Sequence, residues 1–195
     1  MTWGRAAAIH EAGHATVAYG IGVRGLRAVL EPNGGGFVVY GEPGTACAGQ
    51  RREYDGAGDD YAVTASMFTL AIVLAGQVAQ GLAGLDGHQP WYEGGDRDQI
   101  EGAAVDLVEV LGAPAALAPR IIRCGEQDVT AWLEQSWPAV MRVADALHAE
   151  QQLDGARIAT LAGPLPRPAL TTLQNVARSL WTRYGARRQR AAVVA

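Results

Sequence analysis

The sequence contains no lysine; all 16 cationic side chains among its 195 residues are arginines. A Walker A phosphate loop needs its lysine, so an ordinary P-loop ATPase is excluded for this chain. Schiff-base lysine chemistry is excluded for the same reason. Cysteine is scarce: Cys47 and Cys124 stand far apart and form no CxxC pair. This gives neither a disulfide framework nor a thiolate zinc site, and fits a cytoplasmic protein. Excess positive charge is absent too: the formal net charge is -4 and the pI about 5.5, which counts against nucleic-acid binding. The opening MTWGRAAAIHEAGH carries charge where a secretory signal needs an apolar run.

What is present is apolar material for one core: 49% hydrophobic residues against 18% charged. Tyr61 to Leu85 carries no charge and is long enough to span a bilayer. Its Gln77, Gln80, Thr64, Ser66 and Thr69 are costly in lipid, so it reads as a buried helix and no membrane span is expected.

The pattern predicts a helix from Trp3 to Tyr19, capped by Thr2. The runs Leu26–Leu30 and Phe37–Tyr40 flank Glu-Pro-Asn-Gly-Gly-Gly and read as a β-hairpin. Thr45 to Asp60 and Asp86 to Asp96 read as loops. A helix follows from Asp96 or Asp98 to Leu111; Pro114 and Pro119 break the next stretch. Val129 to Gln152 is an amphipathic helix, and Leu153-Asp154-Gly155 turns into a short one. Pro164, Pro166 and Pro168 form a linker before a last helix, Ala169 to Tyr184, and a frayed tail. The expected fold is mainly α with a small β-hairpin. Its units are a main domain over 1–163 and a helical extension over 164–195.

His10-Glu11-Ala12-Gly13-His14 carries the chemistry. On a helix, His10 and His14 lie one turn apart on one face and can bite one Zn²⁺. Glu11 can reach a water on the metal's open side. Gly13 costs the helix roughly 1 kcal/mol against alanine, so close approach of another helix or a substrate backbone is expected there. A hydrolytic zinc site needs a third protein ligand. No third histidine follows closely; His88 falls in a loop and His148 on an exposed-looking helix. A carboxylate is expected instead. Asp96 and Asp98 follow the Gly94-Gly95 turn, where either would also serve as an ordinary helix cap.

AAIHEAGHATVAYG resembles the zinc helix of FtsH-type AAA metalloproteases, whose motif reads close to HEAGHAVV. VRGLRAVLEPNGGGFVVY resembles the hairpin that follows it there, and LAIVLAGQVAQGLAG the LGGRAAEE helix, with Ala75 to Ala79 in register. GGDRDQIEGA resembles the segment supplying an aspartate as third zinc ligand, and LHAEQQLDGARIATL the LLEKETLDGEEI stretch. The similarity is collinear from Ala7 to Leu161. The family's ATPase module and membrane anchor have no counterpart in this sequence. Its arginine and acidic pair are replaced by Gln77, Gln80 and Gly81.

The resemblance implies a zinc metalloendopeptidase. His10, His14 and Asp98 would hold Zn²⁺, Glu11 would act as general base, and unfolded polypeptides or peptides would be substrates without ATP. Counting from the glycine turn selects Asp98; counting by helix register selects Asp96. Asp98 is preferred and Asp96 is the alternative. The group stabilising the oxyanion is unassigned, with His88 and Tyr92 in a suitable loop. The rival function is a non-catalytic, FtsH-like zinc-binding interaction module, and homo-oligomerisation stays open.

Overall fold

The computed structural model describes residues 3–41, 60–85 and 95–185. The expected Thr2 cap, the loops over 45–59 and 86–94, and the tail from 187 onwards lie outside these residues. The described residues form six α-helices and a small three-stranded antiparallel sheet. In chain order these are α1 (Trp3–Ile21), β1 (Arg27–Leu30), β2 (Gly36–Val39), α2 (Asp60–Leu82), α3 (Asp96–Val110), α4 (Ala118–Glu150), β3 (Gln152–Asp154), α5 (Gly155–Ala162) and α6 (Thr171–Leu180). A π-helical turn, Trp181–Gly185, follows α6.

Helix α1 is the hub, buried on nearly every side from Ala6 to Ala18. It packs on α2, α4, α5 and the first two strands. Its alanines and glycines allow this, because small side chains let neighbours close in from all directions. Gly13 shows the requirement: an added Cβ would lie 2.5 Å from the Ala75 carbonyl oxygen and 2.8 Å from the Ala79 Cβ. The helix approach expected at Gly13 is thus made by α2.

Helix α2 is the one described helix apolar and long enough to cross a membrane, with mean hydropathy 1.8 over Tyr61–Leu82. Met67, Leu70, Ala71, Ile72 and Leu74 are buried, and it packs against α1, α3 and α4.

The hairpin forms with β1 central, in the order β2-β1-β3, and Leu30 pairs with Gly36. Its turn closes by Glu31 N–H donating to the Gly35 carbonyl at 2.9 Å, with Gly34 at φ +91. The sheet exceeds the expected hairpin by β3, where Ala28 pairs with Leu153. Only Leu153 of that strand is buried, so three residues carry too little alternation to announce a strand. Helix α4 begins eleven residues earlier than Val129. Pro119 sits in its first turn, where a missing N–H costs nothing.

Residues 164–185 pack onto the helical body. Leu173, Ala177 and Leu180 are buried, and Trp132 Nε1 donates to the Pro166 carbonyl at 3.0 Å. The N-terminus of α6 lacks a side-chain cap of its own. The Asp128 carboxylate from α4 accepts from Thr172 N at 3.0 Å and Leu173 N at 2.8 Å. A remote carboxylate thus satisfies two otherwise orphaned donors.

Candidate metal centre

The site forms where α1, α2 and the start of α3 meet beside β2. His10, Glu11 and His14 lie on α1 and are 3%, 3% and 8% exposed. The two imidazoles project from one helix face, with ring centroids 4.7 Å apart and planes at 76°. The Nε2 atoms are 2.9 Å apart.

His14 Nδ1 lies 2.6 Å from the Ile72 carbonyl oxygen of α2. A carbonyl only accepts, so Nδ1 carries the proton. The Nε2 lone pair of the neutral ring then points toward His10. Outer hydrogen bonds of this kind fix the tautomer and orientation of metal-ligating histidines.

The third group is Asp96. Its Oδ2 is 2.6 Å from His10 Nε2 and 3.8 Å from His14 Nε2. Oδ2 is buried, and no hydrogen bond of acceptable direction reaches it despite that short distance. Asp96 does not cap α3; Gly95 is the N-cap residue and no side-chain cap bond forms. The reason is helix register. Ile100, Ala103, Ala104, Leu107 and Val108 are the buried face of α3, and Asp96 lies four residues before Ile100 on that face. Asp98 points to solvent, as does Gly102 one turn on. Of the two candidate aspartates the structure therefore brings Asp96 to the histidines, and the preference for Asp98 is corrected. The glycine-turn count failed because the helix starts directly after Gly95.

Ligand atoms of His10, His14 and Asp96 all lie within 4.8 Å of one another and can hold a metal ion. Two imidazole nitrogens and a carboxylate oxygen are a donor set that suits zinc. Tetrahedral bonds of about 2.0–2.1 Å would set ligand atoms roughly 3.3 Å apart. The observed separations of 2.6, 2.9 and 3.8 Å bracket that value.

Gly76 of α2 provides a second sign of fit. A Cβ there would press against both Nε2 atoms at once. Glycine keeps open the hollow between the two donor nitrogens. Sequence reasoning placed Gly76 in register within α2 but gave it no role.

The charges are strongly coupled. Burial raises the Glu11 pKa; the histidines oppose this and Asp96 adds to it. Burial opposes the charge of His14, yet the nearby Asp96 carboxylate, with Glu11 and the Ile72 carbonyl, raises its pKa. Burial also disfavours the Asp96 charge, but His10 and His14 hold that carboxyl below the usual range. Groups shifted this way, gathered in a cleft, mark a functional-site candidate.

That cleft has a volume of about 730 Å³, and Glu11, His14, Asp96, Tyr40 and strand β2 line it. Glu11 packs under β2: a Cβ on Gly36 would lie 2.7 Å from Glu11 Cγ. Strand β2 is an edge of the sheet among the described residues, and its Phe37 and Val39 are 42% and 50% exposed. His88 and Tyr92 lie outside the described residues. No known family model matches this chain, and no curated protein matches it.

Proposed function

We propose that this chain is a zinc-dependent peptidase acting on extended polypeptide. The observation that carries the reading is the convergence of His10, His14 and Asp96 beside a buried Glu11 carboxylate, at the floor of a cleft edged by β2. The resemblance of the HEAGH helix and the segments after it to FtsH-type peptidases supports the same reading.

His10, His14 and Asp96 would hold the metal. When bound, zinc polarises a carbonyl and acidifies a water. Glu11 accepts a proton from the attacking water as its oxygen bonds to the carbonyl carbon. It passes that proton to the amine nitrogen as the C–N bond breaks. Burial favours this role, because a carboxylate with a raised pKa holds the proton between the two steps.

An extended peptide can add along the edge of β2 that is unpaired among the described residues, where main-chain hydrogen bonds give affinity. Phe37 and Val39 offer apolar contacts beside it. An edge strand accepts only extended backbone, so substrates are peptides and unfolded chains. Without lysine there is no phosphate loop in this chain, and cleavage requires no ATP from it.

Glu11→Gln tests the reading. Glutamine keeps the shape of the side chain but cannot take the proton. Zinc content stays at the wild-type value, while peptide cleavage falls by about 10²–10⁴-fold. Full cleavage by the zinc-loaded variant removes Glu11 from the mechanism. A wild type that carries zinc and cleaves nothing in a broad peptide library is an interaction module instead.

A further inference from the structure

Peptide hydrolysis needs a hydrogen-bond donor placed where charge develops on the carbonyl oxygen. Besides His14, whose Nδ1 proton is held by the Ile72 carbonyl, three described side chains lining the cleft can donate: Asn33, Tyr40 and Gln99. Asn33 is committed to its own turn. Its amide donates to Glu31 at 3.2 Å and its side-chain oxygen accepts from Gly35 N at 2.9 Å. Gln99 is exposed in the first turn of α3.

Tyr40 differs from both. It directly follows β2, is half-buried, and packs against the hydrophobic core. It lines the same cleft as Glu11, His14 and Asp96. Burial and, after it, the nearby Asp96 charge raise its pKa, so the hydroxyl keeps its proton at neutral pH.

The placement is directional. Gly36, Val38 and Tyr40 alternate onto the half-buried face of this strand, the face against which Glu11 packs at Gly36, and Tyr40 lines the cleft together with Asp96. We propose that Tyr40 is a catalytic residue whose hydroxyl donates a hydrogen bond to the carbonyl oxygen of the bond being cleaved. This assignment rests on the peptidase reading above.

Tyr40→Phe removes one oxygen and leaves the ring packed. The experiment measures, on zinc-loaded protein, zinc affinity, kcat and KM separately, and calorimetric affinity for a phosphinic peptide that mimics the tetrahedral, charged intermediate. Zinc affinity and KM are expected to stay within about threefold of wild type. Removing one such donor typically costs about 10²–10³-fold in kcat. The phosphinic peptide is expected to bind at least tenfold more weakly. If wild type cleaves peptides while kcat and phosphinic-peptide affinity of the variant stay within twofold, the Tyr40 assignment falls and the peptidase reading stands. A parallel fall in zinc affinity also overturns it, because Tyr40 would then be orienting Asp96. If zinc-loaded wild type neither cleaves peptides nor binds the phosphinic peptide, both readings fall.

Discussion

Gly76→Ala separates metal binding from folding. Within a helix, alanine is favoured over glycine by about 1 kcal/mol. Against that gain, the new methyl would press on His10 Nε2 and His14 Nε2 together. His14 cannot swing away without breaking its 2.6 Å hydrogen bond to the Ile72 carbonyl, and His10 is only 3% exposed. Overpacking of this kind costs about 1–3 kcal/mol. The metal-free variant should therefore lose no more than about 2 kcal/mol and still fold. Zinc binding should suffer far more, because ligand distances tolerate only about ±0.2 Å. A weakening of at least about 100-fold is expected, or about 2.7 kcal/mol. Competition against a chromophoric chelator measures it, with thermal melts with and without zinc as the folding control. Gly102→Ala provides the matched substitution: it lies inside α3, is exposed, and has nothing within 4 Å of its added Cβ. That variant should gain about 1 kcal/mol and keep its zinc. If Gly76→Ala binds zinc within threefold of wild type, the hollow between the imidazoles is not the metal's place.

Asp96→Ala should weaken zinc by more than the 10–100-fold typical of outer-sphere partners, and Asp98→Ala by less than twofold; the reverse ranking in a chelator competition would restore Asp98. Zinc affinity should rise from pH 5 to pH 8. The His14 pKa is raised above 6.5, so its proton stabilises the metal-free protein below that pH, and this stability is lost as pH rises through the folded value. Zinc needs the neutral ring, so melting curves with and without zinc should converge on acidification; a gap independent of pH would contradict this. Asp128→Ala should cost about 1–2 kcal/mol by uncapping α6 while leaving zinc affinity unchanged, and equal urea midpoints would refute the cap.

The parts of this site written in local spacing were legible from the sequence. His10 and His14 are one helical turn apart, and Gly13 signalled a close helix contact that Ala75 and Ala79 supply. The choice between Asp96 and Asp98 was not settled locally. It depends on α3 starting directly after Gly95, and the buried face through Ile100 and Leu107 carried that information. Gly76 was silent, since its constraint comes from imidazoles on another helix. Strand β3 was silent as well, because Leu153 finds Ala28 across more than a hundred residues. Residues 164–185 read as an extension after a proline linker, but Asp128 and Trp132 tie them to α4.

If His10, His14 and Asp96 share one zinc ion, anomalous scattering at the zinc edge from crystals of the zinc-loaded protein will show one peak bonded to His10 Nε2, His14 Nε2 and an Asp96 carboxylate oxygen, with Glu11 beside it and not coordinating. A peak coordinated by Asp98 or His88 in place of Asp96, or no peak between the two imidazoles, would contradict it.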